Sequence, residues 1–168
     1  MLLKTTLILL ILPFNVLATW PYSSKGSVEI CEICDCTEPN VICANNQFTE
    51  INHVLPDDTD IVDFSRNSIQ NLTSLQNWPN SVIEINLSRN QIFALSHTVF
   101  DNFTLIENLD LSYNMIGHIE VKVLNNLKSL NSLDLSNNLL LHINPDWFGP
   151  HNNIYRLNLA YNSLSKFN

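Results

Sequence analysis

The stretch VIEINLSRNQI, residues 82–92, returns as IENLDLSYNMI at 106–116 and as LNSLDLSNNLL at 130–140. To either side, TDIVDFSRNSI at 59–69 and IYRLNLAYNSL at 154–164 keep the same order of residue types. In all five an Asn (Asn67, Asn90, Asn114, Asn138, Asn162) stands three places after an apolar residue, and these Asn are spaced 23, 24, 24 and 24 apart. A second apolar residue precedes the first by two places, giving the pairs Val62/Phe64, Ile85/Leu87, Leu109/Leu111, Leu133/Leu135 and Leu157/Leu159. Self-similarity at a fixed period of this length marks a stacked solenoid.

The residue types fit that reading. An apolar-x-apolar triplet is a short strand with its outer side chains inward and its middle one outward. Each strand pairs with its equivalent one coil on, about 4.8 Å away, in a parallel sheet. The repeated Asn carries an acceptor and two donors on a short stem, suited to the backbone groups that the turn after the strand leaves unpaired. Ile92, Leu95, Phe100 and Phe103, then Ile116, Ile119, Leu124 and Leu127, return along the far side at spacings that suit a loose helical or extended convex segment. About seven buried side chains per coil, at roughly 1.5–3 kcal/mol each, only match the entropy of ordering the coil, so coils are stable by stacking. The predicted fold is an α/β-type repeat solenoid, mostly β and loop, with a short parallel concave sheet.

Composition agrees and excludes other classes. Of 168 residues 26 are Leu and 25 are Asn, the excess a repeat of this kind demands. Three glycines supply no phosphate-cradling loop. A net charge of −8 gives no basic face for nucleic acid, so none is expected as a partner. Neither Gly-x-Ser-x-Gly nor His-Glu-x-x-His occurs, and an open solenoid face offers no dry pocket, so no enzyme and no cofactor are expected.

The first residues, MLLKTTLILLILPFNVLATW, have one early cation (Lys4), an apolar run and small residues before Trp20, the layout of a secretory signal peptide. Cleavage is expected near Ala18, with a linker over 19–30 and no later membrane span. The four cysteines, Cys31, Cys34, Cys36 and Cys43, then lie in an oxidising compartment, where structural disulfides prevail over a zinc site. A redox Cys-x-x-Cys is disfavoured by the neighbouring Glu32 and Asp35, whose charges oppose a thiolate. Three pairings are open; the alternating one closes loops of about six and ten residues, each worth roughly 2–3 kcal/mol.

Cys-x2-Cys-x-Cys-x6-Cys, followed by LPDDTDIVDFSRNSI and the 24-residue copies, resembles extracellular leucine-rich repeat proteins with a cysteine-rich N-terminal cap. The resemblance covers residues 31–168, with a cap over 31–58 and about five repeats over 59–168. It implies the right-handed coil of that family, alternating pairs Cys31–Cys36 and Cys34–Cys43, and a binding role. Matrix proteoglycans, neuronal adhesion receptors, Toll-like receptors and lamprey antigen receptors share this architecture and use the concave sheet frequently. Such proteins usually close the far end with a second cap. Here the last residues fall within the fifth repeat, and the expectation is a following segment, a partner or a second copy over the open apolar end.

Outward columns run across the five strands: Asp63, Asn86, Asp110, Asp134 and Asn158, then Ser65, Ser88, Ser112, Ser136 and Ala160. Before them come Ile61, Glu84, Asn108, Ser132 and Arg156, and beside those Asp60, Ile83, Glu107, Asn131 and Tyr155. Six carboxylates against Arg156 describe either a solvated face or a field that steers a basic partner. Candidate binding residues are Glu107, Asp110, Asp134, Tyr155, Arg156 and Asn158, with Tyr113 and Tyr161 as further aromatic anchors. Asp110 and Asp134 stack as carboxylates, but with no third and fourth ligand at fixed spacing no metal is assigned. His118 and His142 share a position in adjacent repeats and read as surface residues. The sequons at Asn71, Asn86 and Asn102 predict glycosylation, and a glycan on Asn86 would push contacts toward repeats three to five. The expected function is a secreted or cell-surface module that binds a protein partner, basic in character, on its concave face. The alternative is a structural matrix component of the small leucine-rich proteoglycan kind.

Overall fold

The computed structural model describes residues 30–72, 75–149 and 153–165. The expected leader at 1–18 and the linker up to residue 29 lie outside these. Nine short strands are present among the described residues: β1 Asp35–Thr37, β2 Asn40–Ile42, β3 Ile61–Asp63, β4 Glu84–Asn86, β5 Ala94–Leu95, β6 Asn108–Asp110, β7 His118–Ile119, β8 Ser132–Asp134 and β9 Arg156–Asn158. Seven of them form one sheet in the order β1-β2-β3-β4-β6-β8-β9, and β5 and β7 pair separately.

Register follows the repeat. Val62 faces Ile85, Ile85 faces Leu109, Leu109 faces Leu133 and Leu133 faces Leu157, all in parallel pairs. A slip of one residue would turn every inward aliphatic to solvent, so the triplet pattern itself fixes the pairing. Both members of the first four apolar pairs are buried to 2% exposure or less, whereas Leu157 in the last strand is 41% exposed. Ile92, Leu95, Phe100 and Phe103, with Ile116, Ile119, Leu124 and Leu127, fill the core from the far side. That side contains no α-helix among the described residues. It runs through turns, the β5–β7 pair and a 3₁₀ turn at Pro145–Trp147, capped by Asn144 and pinned by the Trp147 indole N–H on the Ile119 carbonyl at 3.0 Å. Spacings of three to five between apolar residues are met as well by successive turns as by a helix, so periodicity alone does not separate the two.

The first coil is held by disulfides Cys31–Cys36 and Cys34–Cys43, the alternating pairing. Strand β1 runs antiparallel to β2, which then pairs in parallel with β3, so the stapled hairpin is the leading edge of the solenoid sheet. Ile30, Val41, Cys43, Ile51 and Leu55 are buried under it.

Candidate functional site

The concave face is built by the first and last residues of the strands. In a three-residue strand these two side chains share a face, so Glu84 with Asn86, Asn108 with Asp110, Ser132 with Asp134, and Arg156 with Asn158 project together. These eight residues line a shallow hollow over β4, β6, β8 and β9 whose floor is the backbone at Ile85, Leu109 and Leu133. Three carboxylates and one guanidinium give it a negative field. Among the described residues the Glu84 and Arg156 side chains make no hydrogen bond, leaving both open to a partner.

The Asp/Asn column does more than face solvent. Oδ1 of Asp63 accepts the Ser65 backbone N–H at 2.7 Å, Asp110 that of Ser112 at 2.8 Å, and Asp134 that of Ser136 at 2.8 Å. Asn86 does the same for Ser88 at 3.0 Å and Asn158 for Ala160 at 3.2 Å. Each is an Asx turn that ends its strand. One oxygen of every concave Asp is therefore committed to the fold. Asp134 has its second oxygen engaged too, by the Asn158 Nδ2 at 2.8 Å, whereas Asp110 makes only the turn bond. Of the two Asp carboxylates in the hollow, Asp110 is therefore the one with an oxygen left for a partner, beside the uncommitted Glu84.

The turn also corrects the serine column. Ser65, Ser88, Ser112 and Ser136 are not outward: they are 5–8% exposed. The chain bends inward after the Asx residue, and each Ser carbonyl is covered by the backbone N–H of the preceding coil, as in Arg66 to Ser88 and Tyr113 to Ser136. Glu107 and Tyr155 are likewise not part of the hollow. They precede their strands and share the parity of the inward residues, so they stand beside the lead-in to the sheet, with Tyr155 80% exposed. Of the six sequence candidates, Asp110, Asp134, Arg156 and Asn158 come together. Glu84, Asn108 and Ser132 join them, and the period-2 alternation within each triplet is the signal that pairs them with the Asx column.

The Asn ladder lies behind this face. Asn114 Nδ2 donates to the Leu87 and Leu111 carbonyls, and its Oδ1 accepts the Ile92 N–H at 3.0 Å. Asn90, Asn138 and Asn162 repeat the arrangement, and Asn67 ties the cap through the Cys43 carbonyl and the Asn46 and Phe48 N–H groups. The bonds of each Asn reach back one coil. The residue before each ladder Asn is left-handed: Arg66, Arg89, Tyr113, Asn137 and Tyr161 have φ of 54–58°.

Among the described residues no group of three or more His, Cys, Asp or Glu is placed to hold a metal ion. His118 and His142 are exposed in neighbouring coils. Asn71 and Asn102 are exposed, while Asn86 is half-buried with its Oδ1 accepting both the N–H and the hydroxyl of Ser88.

No curated protein matches the sequence. Among solved structures, TLR13 in its complex with ssRNA13 superposes with a TM-score of 0.58 at 29% identity, over 70% of this chain and 18% of that one. An internalin (InlF) from Listeria monocytogenes superposes with a TM-score of 0.53 at 28% identity, over 66% of this chain and 31% of that one. This chain thus spans less than a third of either protein's length. The leucine rich repeat family matches residues 80–140 and 105–164, half of the chain. With the parallel coil, the Asn ladder and the disulfide-held first coil beside that match, the chain belongs to the leucine-rich repeat family.

Proposed function

We propose that this chain is a non-enzymatic extracellular binding module whose concave hollow takes a basic segment of a protein partner. The observation that carries the reading is the hollow over β4 to β9, where Glu84, Asp110 and Asp134 outnumber Arg156 on an open, preformed sheet. Rigid backbone under a charged face favours steering and orientation of a partner of opposite sign. Two disulfides and the signal-like first residues support a secreted or cell-surface location. The RNA bound by the TLR13 neighbour is not carried over, because a polyanion would meet three carboxylates in this hollow. Glycans at Asn71 and Asn102 leave the sheet open, whereas one at Asn86 would narrow the hollow from the cap side.

A direct test titrates the full chain with an oligo-lysine peptide, an oligo-glutamate peptide and a single-stranded RNA oligonucleotide at two salt concentrations. Binding of the lysine peptide alone, weakened by salt and by Asp110→Asn with Asp134→Asn, is expected. Binding that ignores both substitutions would remove the concave face from the function.

A further inference from the structure

A second surface lies on the flank that each coil turns into after its strand. There the chain is extended, and alternate residues point out: Phe93 at 51% exposure, Met115 at 51%, Leu139 at 51% and Leu141 at 54%. They are not scattered. The Met115 N–H bonds to the Ile92 carbonyl, the Gly117 N–H to that of Phe93 and the Leu139 N–H to that of Ile116, so these residues lie on adjoining coils with their outward positions in register. Gly117 stands between Phe93 and Leu139 with no side chain. A Cβ there would meet only the Leu139 carbonyl and Cβ, at 3.8 and 3.9 Å, so the patch has a dent at its centre. Singly exposed apolar residues are ordinary, but a contiguous group with a hollow marks a contact surface.

The charge around this patch is opposite to that of the concave face. The flank segments 66–72, 89–95, 113–119 and 137–143 contain no Asp or Glu, although the chain has 16. They carry Arg66 and Arg89, with His118 and His142 at the far margin. Arg89 is held in place, its guanidinium 4.2 Å from the Tyr113 ring centroid, where the aromatic face orients the cation on the coil next to Met115. The first carboxylate beyond the flank is Glu120, which is engaged by the His97 N–H at 2.9 Å and by its ring at 2.6 Å.

We infer that this flank is a second docking surface, for a protein segment that seats an apolar side chain in the dent at Gly117 and presents a carboxylate to Arg89. The two faces then select opposite charges, and a partner can be read on both or on either.

The experiment uses the full chain and three synthetic peptides: one alternating Glu with Phe and Leu, its Lys-for-Glu counterpart, and one of Glu with Ser. Titrations followed by fluorescence anisotropy are run on the wild type and on the Asp110→Asn, Asp134→Asn variant, so that concave binding of a cationic peptide is separated from flank binding. The Glu/Phe/Leu peptide is expected to bind both forms equally and more tightly than either control. Leu139→Ser and Arg89→Gln should each weaken it about tenfold, the size of a single hot-spot contact. Both side chains are exposed, so melting temperatures should stay close to wild type; Phe93→Ser serves where either variant is poorly folded. Failure of the Glu/Phe/Leu peptide to bind, equal affinity for the Lys counterpart on the concave variant, or indifference to the flank substitutions would overturn the proposal.

Discussion

At the scale of single residues, two short polar side chains do most of the work that a β-solenoid requires at its turns. The ladder Asn satisfies backbone groups that no water reaches, and Asn114→Ala strips partners from buried carbonyls and an N–H at once. The loss expected in urea unfolding is about 1–3 kcal/mol. Asn162→Ala should lose less, since Asn162 is half-buried and serves the last described turn. The Asx column makes a sharper distinction. Asp110→Asn keeps an oxygen for the Ser112 N–H and should unfold like wild type, whereas Asp110→Ala should lose about 1 kcal/mol. Equal stability of the two would mean that the turn bond contributes nothing. The ladder is legible in the sequence because only a side chain that both donates and accepts on a short stem can serve the same turn in every coil, and Asn recurs there without exception. The Asx turns are equally present, as Asp/Asn-x-Ser in four of five repeats, yet an outward acid is just as readily a plain surface charge. An alternating pattern tells which way a side chain points and not what its oxygen holds.

At the scale of elements, chemistry beyond the sheet acts within the first coil, through its disulfides, and between coils on the far side, through His97 and Glu120. In the first coil, breaking Cys34–Cys43 by Ser substitution should lower the unfolding free energy by about 2–3 kcal/mol from loop entropy. The Cys31–Cys36 pair should cost less, because Cys43 is fully buried and Cys36 is only partly so. On the far side, the His97 backbone N–H and then its ring hold the Glu120 carboxyl below its usual range, with His118 adding a weaker attraction. A lowered carboxylate pKa means that the folded state prefers the charged form. Its contribution is therefore present above the ordinary carboxylate range and is lost as pH falls through the folded value. Glu120→Gln should accordingly lower the melting temperature near neutral pH and make no difference in acid. An offset that persists in acid would assign the effect to packing. Nothing in the repeat pattern announces this pair, because His97 and Glu120 occupy different positions in their coils and meet only through the turn geometry.

At the scale of the whole molecule, the concave hollow, the apolar flank and the core are three consequences of one period, but they are not equally readable. Inward positions are constrained twice, by burial and by register, and all the aliphatic pairs lie where the triplets put them. Surface positions are constrained by neither, so Glu107 and Tyr155 look like members of the sheet while standing before it, and nothing in the period marks Phe93, Met115 and Leu139 as a shared exposed face. The same nearest-neighbour construction makes stability local along the stack. Leu133 is 1% exposed between Leu109 and Leu157, and Leu133→Ala should cost about 2–5 kcal/mol as a mid-core cavity. Among the described residues Leu157 is paired with Leu133 alone and is 41% exposed, so Leu157→Ala in this chain should cost a fraction of that. Hydrogen exchange separates this graded picture from a uniformly cooperative domain. Amides of β8 and β9 should lose protection first in Leu133→Ala, while those of β3 and β4 stay close to wild type. Equal loss from the cap to the last strand would mean that the coils rise and fall together, and that the stack is held by something other than contact between neighbours.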